Sequence, residues 1–252
     1  MLHNPATVGL DLDAPGTFTI HQKILAKNKF LRKIYLEWYH FIWEQMPDLE
    51  GHILEVGTGA GFLKQSLPET ITSDVILHSN IDLVLDGRRL PVRRGSLKAI
   101  VMVDVLHHIL NAPDFFKAAR RSVMKGGVIV MVEPWNSTWA NFIYNRFHHE
   151  PFLTQEEVWG SQDSHSSSQT NGAIPWILFQ RDLSRFSLEF PEWEVKSVQP
   201  CLPFRYLLSG GLSMRQLVPT WSFSFWRWIE QVMQPVMERW AMFARIVLIK
   251  KN

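Results

Sequence analysis

Three glycines at alternate positions, directly behind an apolar run, constrain the fold of this 252-residue chain more than any other feature. They are Gly57, Gly59 and Gly61, within residues 53–63. Such glycines let a strand turn sharply into a helix and let a ligand lie against the backbone. A dinucleotide site requires its third glycine at the sixth position, which is Phe62 here. An NAD-dependent oxidoreductase is therefore the disfavoured alternative.

Short apolar runs alternate with turns and helical stretches around this segment, a pattern typical of a parallel sheet with crossover helices. Residues 1–20 predict an irregular start, and residues 21–46 predict one amphipathic helix. The predicted strands are 53–56, 70–73, 83–85, 99–103, 128–132, 194–198 and 245–250, and short helices are expected at 62–67 and 112–123. The expected fold class is α/β, with a doubly wound, mostly parallel, seven-stranded sheet and helical insertions.

Acidic residues close successive predicted strands. Asp74 ends the second strand, Asp86 the third and Asp104 the fourth. Together with Glu55 ahead of the glycines and the Asp-x-x-x-Leu-Pro turn at 86–91, this order resembles the class I S-adenosylmethionine-dependent methyltransferases, and their type 11-like subgroup most of all. The resemblance implies a Rossmann-like methyltransferase fold.

The resemblance also implies a site for S-adenosylmethionine, with S-adenosylhomocysteine as the product. The glycine loop behind Glu55 would wrap the amino-acid part of the cofactor, Asp74 would accept two hydrogen bonds from the ribose hydroxyls, and Asp86 would meet the adenine amino group. The residues implied to bind the cofactor are Glu55, Gly57, Thr58, Gly59, Gly61, Asp74, Val75, Asp86, Gly87, Asp104 and Val105.

Methyl transfer requires positioning and, for a hydroxyl acceptor, removal of a proton. Histidine is the usual base, because its unperturbed pKa is about 6.5. His107 and His108 follow the fourth strand, and His148 and His149 follow the fifth. All four are candidates, although the first pair could instead cap a helix and pack beside the sheet, and the second could lie in a solvated turn. Their spacing lacks the His-Glu-x-x-His pattern, so no metal is expected.

Aromatic residues after the fifth strand are candidates for an acceptor pocket. Trp135, Tyr144 and Trp176 are the residues we expect to bind the acceptor. We expect a small-molecule or lipid-like acceptor, with O-methylation favoured. A scaffold that binds the cofactor without catalysis is the main alternative, because no invariant catalytic residue would reveal the loss of activity.

The chain is expected to form a single domain with four parts. These are an N-terminal helical cap (1–50), a cofactor-binding core (51–134), an acceptor or lid insertion (135–192) with an exposed loop at 160–172, and the last two strands (193–252) interrupted by an aromatic helical insertion (201–244).

Composition excludes several classes of site and partner. A formal net charge of +2 is too small to indicate nucleic-acid binding. The single cysteine, Cys201, excludes an internal disulfide and a thiolate metal cluster. No apolar run reaches the roughly 18 residues of a membrane span, and the N-terminal residues lack the pattern of a signal peptide. We therefore expect a cytoplasmic protein.

Charge is uneven along the chain, because residues 201–252 contain seven basic residues and two acidic ones. Apolar residues of this segment fall at helical spacing, and Pro235 is expected to kink or divide the helix. The residues expected to share one helical face are Phe225, Ile229, Val232, Val236, Trp240 and Phe243. Such a face could cover the site, form a dimer or contact a membrane peripherally through residues 213–244. The oligomeric state stays open.

Overall fold

The computed structural model describes residues 15–147, 151–160 and 170–251. Its strands are β1 (His52–Val56), β2 (Thr70–Asp74), β3 (Leu83–Val84), β4 (Leu97–Val103), β5 (Val123–Pro134), β6 (Trp193–Cys201) and β7 (Phe243–Lys250). They form one seven-stranded sheet in the order β3-β2-β1-β4-β5-β7-β6. β7 runs antiparallel to β5 and β6, whereas the pairs from β3 to β5 are parallel. The predicted mostly parallel sheet is confirmed.

Helices cover the sheet. In the described part of the chain they are α1 (Pro15–Lys27), α2 (Lys29–Glu44), α3 (Leu63–Ser66), α4 (Ala112–Ser122), α5 (Thr138–Phe147), α6 (Ile174–Trp176), α7 (Leu183–Glu189), α8 (Arg205–Ser209), α9 (Phe223–Val232) and α10 (Met237–Trp240). The central strands β4 and β5 are apolar over most of their length and largely buried. Burial of each large aliphatic side chain contributes about 1.5–3 kcal/mol, so these strands anchor the core.

The N-terminal cap differs from the single helix predicted over 21–46. The chain forms two helices, and the first begins at Pro15, within the segment expected to be irregular. The break lies at Asn28, whose side chain accepts a hydrogen bond from the N–H of Leu31 at 2.9 Å and so caps α2. The Asn28 amide also donates to the carbonyl of Ser209 at 2.8 Å. Tertiary contact thus fixes a break that apolar periodicity alone does not indicate.

The insertion between β6 and β7 also departs from the prediction. α9 ends at Val232, a 3-10 turn follows at Gln234–Val236, and α10 ends at Trp240. Pro235 lies in that turn, so its predicted effect on the helix is confirmed. Phe243 begins β7 instead of completing a helical face, because its backbone pairs with Pro134 of β5 and Cys201 of β6.

A buried ion-pair network attaches this insertion to the cap. Arg205 donates from Nε to Glu230 Oε2 at 2.6 Å, and its Nη1 lies 2.8 Å from Glu37 Oε2. Glu230 Oε1 also accepts the backbone N–H groups of Phe204 and Arg205. Residues of α2, α8 and α9 therefore hold one another through charge-assisted bonds.

Most of the loop predicted at 160–172 lies outside the described residues. Its first residue, Gly160, pairs with Asn111 in an isolated β-bridge. No helix in the described ranges has the length and apolarity to span a bilayer.

Candidate active site

A cavity of about 600 Å³ opens at the carboxyl ends of the parallel strands, the edge where doubly wound sheets bind ligands. Every residue predicted to bind the cofactor lines it: Glu55, Gly57, Thr58, Gly59, Gly61, Asp74, Val75, Asp86, Gly87, Asp104 and Val105. The fold therefore brings together residues that are up to 50 positions apart in the chain.

The glycine loop leaves its backbone open to the cavity. Gly57 has a φ of +72°, and a Cβ there would lie 2.6 Å from Val105 Cγ2. Gly59 has a φ of +51°, and a Cβ there would have no atom within 4 Å. The first glycine is thus required by packing and by its left-handed backbone, whereas the second leaves open space in which a ligand can approach the main chain.

Asp74 connects the end of β2 to this loop. Its carboxylate is buried, and Oδ2 accepts the N–H of Gly59 at 2.9 Å. Oδ1 accepts the N–H of Ile76 at 3.2 Å. A carboxylate can accept about four hydrogen bonds, so Asp74 keeps capacity for hydroxyl donors in the cavity.

Glu55 is a buried carboxyl group beside Asp74. Its pKa is raised to about 7, mainly by burial; the hydrogen bond from the Thr58 hydroxyl at 2.9 Å lowers the pKa, and the negative charge of Asp74 raises it. Near neutral pH this group is divided between its charged and neutral forms. A cationic ligand in the cavity would favour the charged form.

Asp86, after β3, stays charged. The guanidinium of Arg88 donates to both carboxylate oxygens, at 3.0 Å from Nε and 2.7 Å from Nη2. These bonds lower the pKa of the Asp86 carboxyl. The neighbouring Gly87 packs against Ile109, since a Cβ there would lie 3.0 Å from Ile109 Cδ1. Asp86 therefore presents an ionised acceptor next to an apolar wall.

Glu133, at the end of β5, organises the turn that follows β4. Its Oε1 accepts the N–H groups of Val105 at 3.0 Å and Leu106 at 2.7 Å, and its Oε2 lies 2.9 Å from His107 Nδ1. Asp104 adopts a φ of +63° just before this turn. Sequence analysis missed Glu133, because its partners lie 26–28 positions away and no local motif indicates them.

The two histidines after β4 have different surroundings. His107 is buried against Glu133 and lies outside the described lining of the cavity, which corrects the expectation that either imidazole could act there. His108 is exposed and lines the cavity, and its ring centroid lies 4.1 Å from that of His107. The other two candidates, His148 and His149, lie outside the described residues.

Of the three predicted acceptor residues, the structure brings Tyr144 to the cavity. Its hydroxyl donates to the carbonyl of Met242 at 2.6 Å. Trp135 is buried, and its backbone N–H donates to the same carbonyl at 2.8 Å. Trp135 and Trp176 both lie outside the described lining, because they pack against the core instead.

Aromatic and imidazole groups from the N-terminal cap complete the wall, and sequence analysis did not assign them to the site. Tyr35 and Tyr39 of α2 and His21 of α1 line the cavity. Burial raises the pKa of both phenols, and it lowers the pKa of His21. These groups are therefore neutral at physiological pH. The helical periodicity of the cap revealed its buried face but not that this face closes a site.

A neighbouring wall comes from α8, whose Tyr206 stacks on Trp38 of α2, and from the residues after it. This part of the lining is Tyr206, Leu207, Gly210, Gly211, Leu212, Ser213 and Met214. These side chains and the tyrosines of the cap border the same cavity as the glycine loop and the carboxylates, and the hydroxyl of Tyr39 accepts the N–H of Phe62, next to that loop, at 2.9 Å. The arrangement can hold a polar, partly cationic molecule beside an apolar one.

A family model described as a methyltransferase domain matches residues 28–186. Among curated proteins, no match is found. Solved structures share the fold at low identity. A possible histamine N-methyltransferase from Thermotoga maritima superposes with a TM-score of 0.53 at 14% identity, covering 93% of this chain and 100% of that one.

Two further structures have similar scores. Geranyl diphosphate C-methyltransferase from Streptomyces coelicolor, in complex with S-adenosylhomocysteine, gives a TM-score of 0.52 at 13% identity and covers 98% of this chain and 84% of that one. Phosphoethanolamine N-methyltransferase 2 from Haemonchus contortus, in complex with S-adenosylmethionine, gives a TM-score of 0.51 at 12% identity. The match covers 98% of this chain and 59% of that one. At these identities the likeness establishes a shared Rossmann-like methyltransferase fold.

Proposed function

The chain belongs to the methyltransferase-domain family, whose model spans residues 28–186, and on that premise we propose that it methylates a small apolar or lipid-like acceptor, with oxygen favoured. It is a class I S-adenosylmethionine-dependent methyltransferase. The observation that carries the choice of acceptor is the lining of the cavity, in which glycines and carboxylates, here called the polar end, and the rings of Tyr144, Phe152 and Tyr206, here called the aromatic end, share about 600 Å³. Ligand pockets commonly measure about 300–1,000 Å³.

The residues at the polar end fit S-adenosylmethionine. When bound, this cofactor supplies an electrophilic methyl group on a sulfonium. The loop of Gly57 and Gly59, with Glu55 beneath it, offers open backbone and a carboxyl group that a cation would ionise. Asp74 offers acceptor capacity for hydroxyl groups, and Asp86 offers an ionised acceptor for an amino group. We assign these groups to the amino-acid, ribose and adenine parts respectively.

The acceptor would occupy the aromatic end. Tyr144, Phe152 and Tyr206 line this part, and the rings of Tyr144 and Phe152 stack with their centroids 4.6 Å apart. Such walls exclude water and favour the burial of apolar groups, at about 25 cal/mol for each Å² removed from water. A charged or strongly hydrated acceptor would lose hydration here without equivalent partners. The lining therefore supports an apolar or amphiphilic acceptor.

For a hydroxyl acceptor, we assign proton removal to His108. It is the exposed imidazole after β4 and lines the cavity, so one of its ring nitrogens can take the proton as the oxygen attacks. His107 would act through position only, since its ring is buried against Glu133. His148 and His149 remain predictions from the sequence.

An acceptor panel with His108 variants tests this function. We expect release of S-adenosylhomocysteine with hydroxyl-bearing apolar acceptors, and little with short charged ones. His108→Gln should lower kcat about 10²-fold or more and remove the acid limb of the pH–rate profile, while the affinity for S-adenosylhomocysteine stays unchanged. His40→Gln, at an exposed residue of α2, is the matched control.

Other outcomes would overturn parts of this assignment. An unchanged pH profile in His108→Gln would remove His108 as the base. Tight binding of S-adenosylhomocysteine without turnover of any acceptor would favour the non-catalytic scaffold. Preferential amine or carbon methylation would replace the favoured oxygen chemistry and leave the cofactor site intact.

A further inference from the structure

An exposed apolar stripe, here called the aromatic stripe, runs along the solvent side of α9 and the turn before it. It consists of Trp221, Phe225, Trp228 and Val232. Phe225, Trp228 and Val232 share one face of α9 at intervals of three and four residues, and Trp221 lies in the 3-10 turn Thr220–Ser222 that leads into the helix. Their exposed fractions, in chain order, are 83%, 56%, 59% and 60%. Contiguous exposed apolar residues of this size mark an interaction surface, whereas scattered ones do not.

The aromatic stripe is distinct from the face that holds α9 to the protein. Phe223 and Glu230 are buried on the opposite side, and Trp226 and Met233 pack partly against the core. Phe223 contacts Phe30 of α2 with ring centroids 5.0 Å apart. α9 therefore has two apolar faces, and one of them is buried against the rest of the chain.

Cations surround α9 on the flank that packs on α2. Arg227 Nε of α9 lies 3.5 Å from Glu37 Oε1, and Lys33 Nζ of α2 lies 5.2 Å from the ring centroid of Phe223. α1 adds the exposed Lys23 and Lys27 and contains no acidic residue. Among the carboxylates of α2, α9 and α10 near these cations, Glu230 is buried with Arg205, Glu37 is shared between Arg205 and Arg227, and Glu238 is exposed. Exposed cations therefore outnumber unpaired exposed carboxylates among these groups.

The segment that leads from α8 to the aromatic stripe borders a basic groove. A groove of about 450 Å³ is lined by Lys23, Lys27 and Arg215 together with Met214. Met214 also lines the main cavity. The segment that connects α8 to α9 therefore borders both the basic groove and the cavity.

We propose that the aromatic stripe docks the enzyme on the surface of an anionic phospholipid bilayer. Tryptophan and phenylalanine side chains partition into the headgroup region, and lysine and arginine are attracted to anionic lipids. A second copy of the chain fits this surface less well, because a two-fold contact would bring the same cations face to face. The proposal narrows the membrane contact predicted for residues 213–244 to the four side chains of the aromatic stripe. It goes beyond the proposed function because it states where the enzyme would meet an apolar acceptor.

Vesicle co-sedimentation of the full chain tests the proposal. The vesicles are phosphatidylcholine alone, or phosphatidylcholine with one-third phosphatidylglycerol. We expect wild-type protein to bind the anionic vesicles about tenfold more tightly than the neutral ones, and binding should weaken in about 0.5 M NaCl, where charges are screened. The variant Trp221→Ser/Phe225→Ser/Trp228→Ser should lose about tenfold or more of this binding.

Matched controls separate docking from folding and from catalysis. Leu183→Ser/Leu188→Ser removes exposed leucines of α7, far along the chain from the aromatic stripe, and should bind vesicles as the wild type does. The triple variant should bind S-adenosylhomocysteine normally, because none of its three residues lines the cavity. If the wild-type protein itself did not bind S-adenosylhomocysteine, that result would instead count against the proposed function.

Three results would overturn the docking proposal. They are a wild-type protein that stays in the supernatant with anionic vesicles, a triple variant that binds as tightly as the wild type, and a wild-type dimer in sedimentation velocity that the triple substitution dissociates without any vesicle binding. The last result would assign the aromatic stripe to a second copy of the chain.

Discussion

The cofactor end of the cavity, as we assign it, is built from backbone and short side chains at strand ends, whereas the acceptor end, as we propose it, is built from side chains that distant segments bring together. At the first end, Gly59 donates its N–H to Asp74, and Thr58 donates its N–H to Ser73. At the second end, α8 and α9 are held through Arg205, Glu230 and Glu37.

The two ends of the cavity are therefore held in place by different interactions. Parallel strands fix the cofactor end, because the glycine loop, Asp74 and Asp104 lie at the ends of the buried strands β1, β2 and β4, whose register is set by their neighbours. The acceptor end depends on a buried ion-pair network, which is costly to break at any one member. Substitutions of the glycine loop should therefore act mainly on ligand affinity, whereas substitutions in the ion-pair network should act mainly on folding stability.

The largest expected effect is at the acceptor end. Glu230→Ala removes three hydrogen bonds and leaves Arg205 with only Glu37 as a charged partner, so the free energy of unfolding should fall by about 3–5 kcal/mol. Urea denaturation measures it. Glu238→Ala, at an exposed residue of the same insertion, should change stability by no more than about 0.5 kcal/mol. A loss below about 1 kcal/mol in Glu230→Ala would show that the network does not hold this end together.

The next effect concerns the cofactor end. Gly57→Ala places a Cβ 2.6 Å from Val105 Cγ2 at a φ of +72°, so the loop must shift, and the affinity for S-adenosylhomocysteine should fall about 10²-fold, or about 2.7 kcal/mol. Gly95→Ala is the matched control, because Gly95 has a φ of +63° and open space around its Cβ position. Titration calorimetry compares the two. Equal affinities in both variants would mean that the loop tolerates displacement.

A smaller effect is the pH dependence that Glu55 introduces. Its pKa is raised from 4.5 to about 7 by burial, so the folded chain binds more protons than the unfolded chain between these values, and stability falls as pH rises through that window. Glu55→Gln should remove this slope. Above pH 7 the variant should be more stable than the wild type by about 2 kcal/mol, because a shift of this size is worth at most about 3 kcal/mol and an amide fits less well than a carboxyl group.

Thermal unfolding from pH 4 to pH 8 checks this prediction, with Glu50→Gln as the exposed control on the segment before β1. The free energies of unfolding of the wild type and Glu55→Gln should differ least at pH 4. Parallel stability curves for wild type and Glu55→Gln would contradict a raised pKa at this residue.

The smallest effect is a second substitution at the acceptor end, at Tyr144. Tyr144→Phe removes the hydrogen bond to the carbonyl of Met242, but that carbonyl keeps the N–H of Trp135 at 2.8 Å. Since no buried acceptor is left unsatisfied, we expect a loss of only about 1 kcal/mol, measured by urea denaturation. A loss above roughly 3 kcal/mol would indicate that Tyr144 organises more of the acceptor wall than this bond.

The sequence predicted the cofactor end better than the acceptor end for a physical reason. Seven strands and the order of Glu55, Asp74, Asp86 and Asp104 follow from apolar runs and from residues adjacent to them. Each signal there is local. The break at Asn28 was missed because apolar periodicity continues across it. The side chain that caps α2 there also forms a hydrogen bond to the carbonyl of Ser209, which is distant in the chain.

The acceptor end depends on contacts that no short segment contains. His107 and His108 are neighbours with the same chemistry, and only Glu133, 26 positions after His107, separates a buried ring from one at the cavity. The aromatic residues after β5 gave no local sign that Trp135 packs in the core while Tyr144 reaches the site. The contribution of His21 to the wall required knowing that α1 packs on α2 and that its Phe18 stacks on His78, in the loop after β2, with ring centroids 4.7 Å apart.

The position of β7 has a consequence for biosynthesis. β7 lies between β5 and β6 in the sheet, although β6 precedes it in the chain. A ribosome must therefore produce residues 135–242 while the apolar edge of β5 has no partner, and β6 has no neighbour to join until β7 emerges. Open apolar edges promote aggregation of nascent chains. A translational pause within the insertion would prolong this state, so synthesis of this enzyme should depend on chaperones more than its compact product suggests.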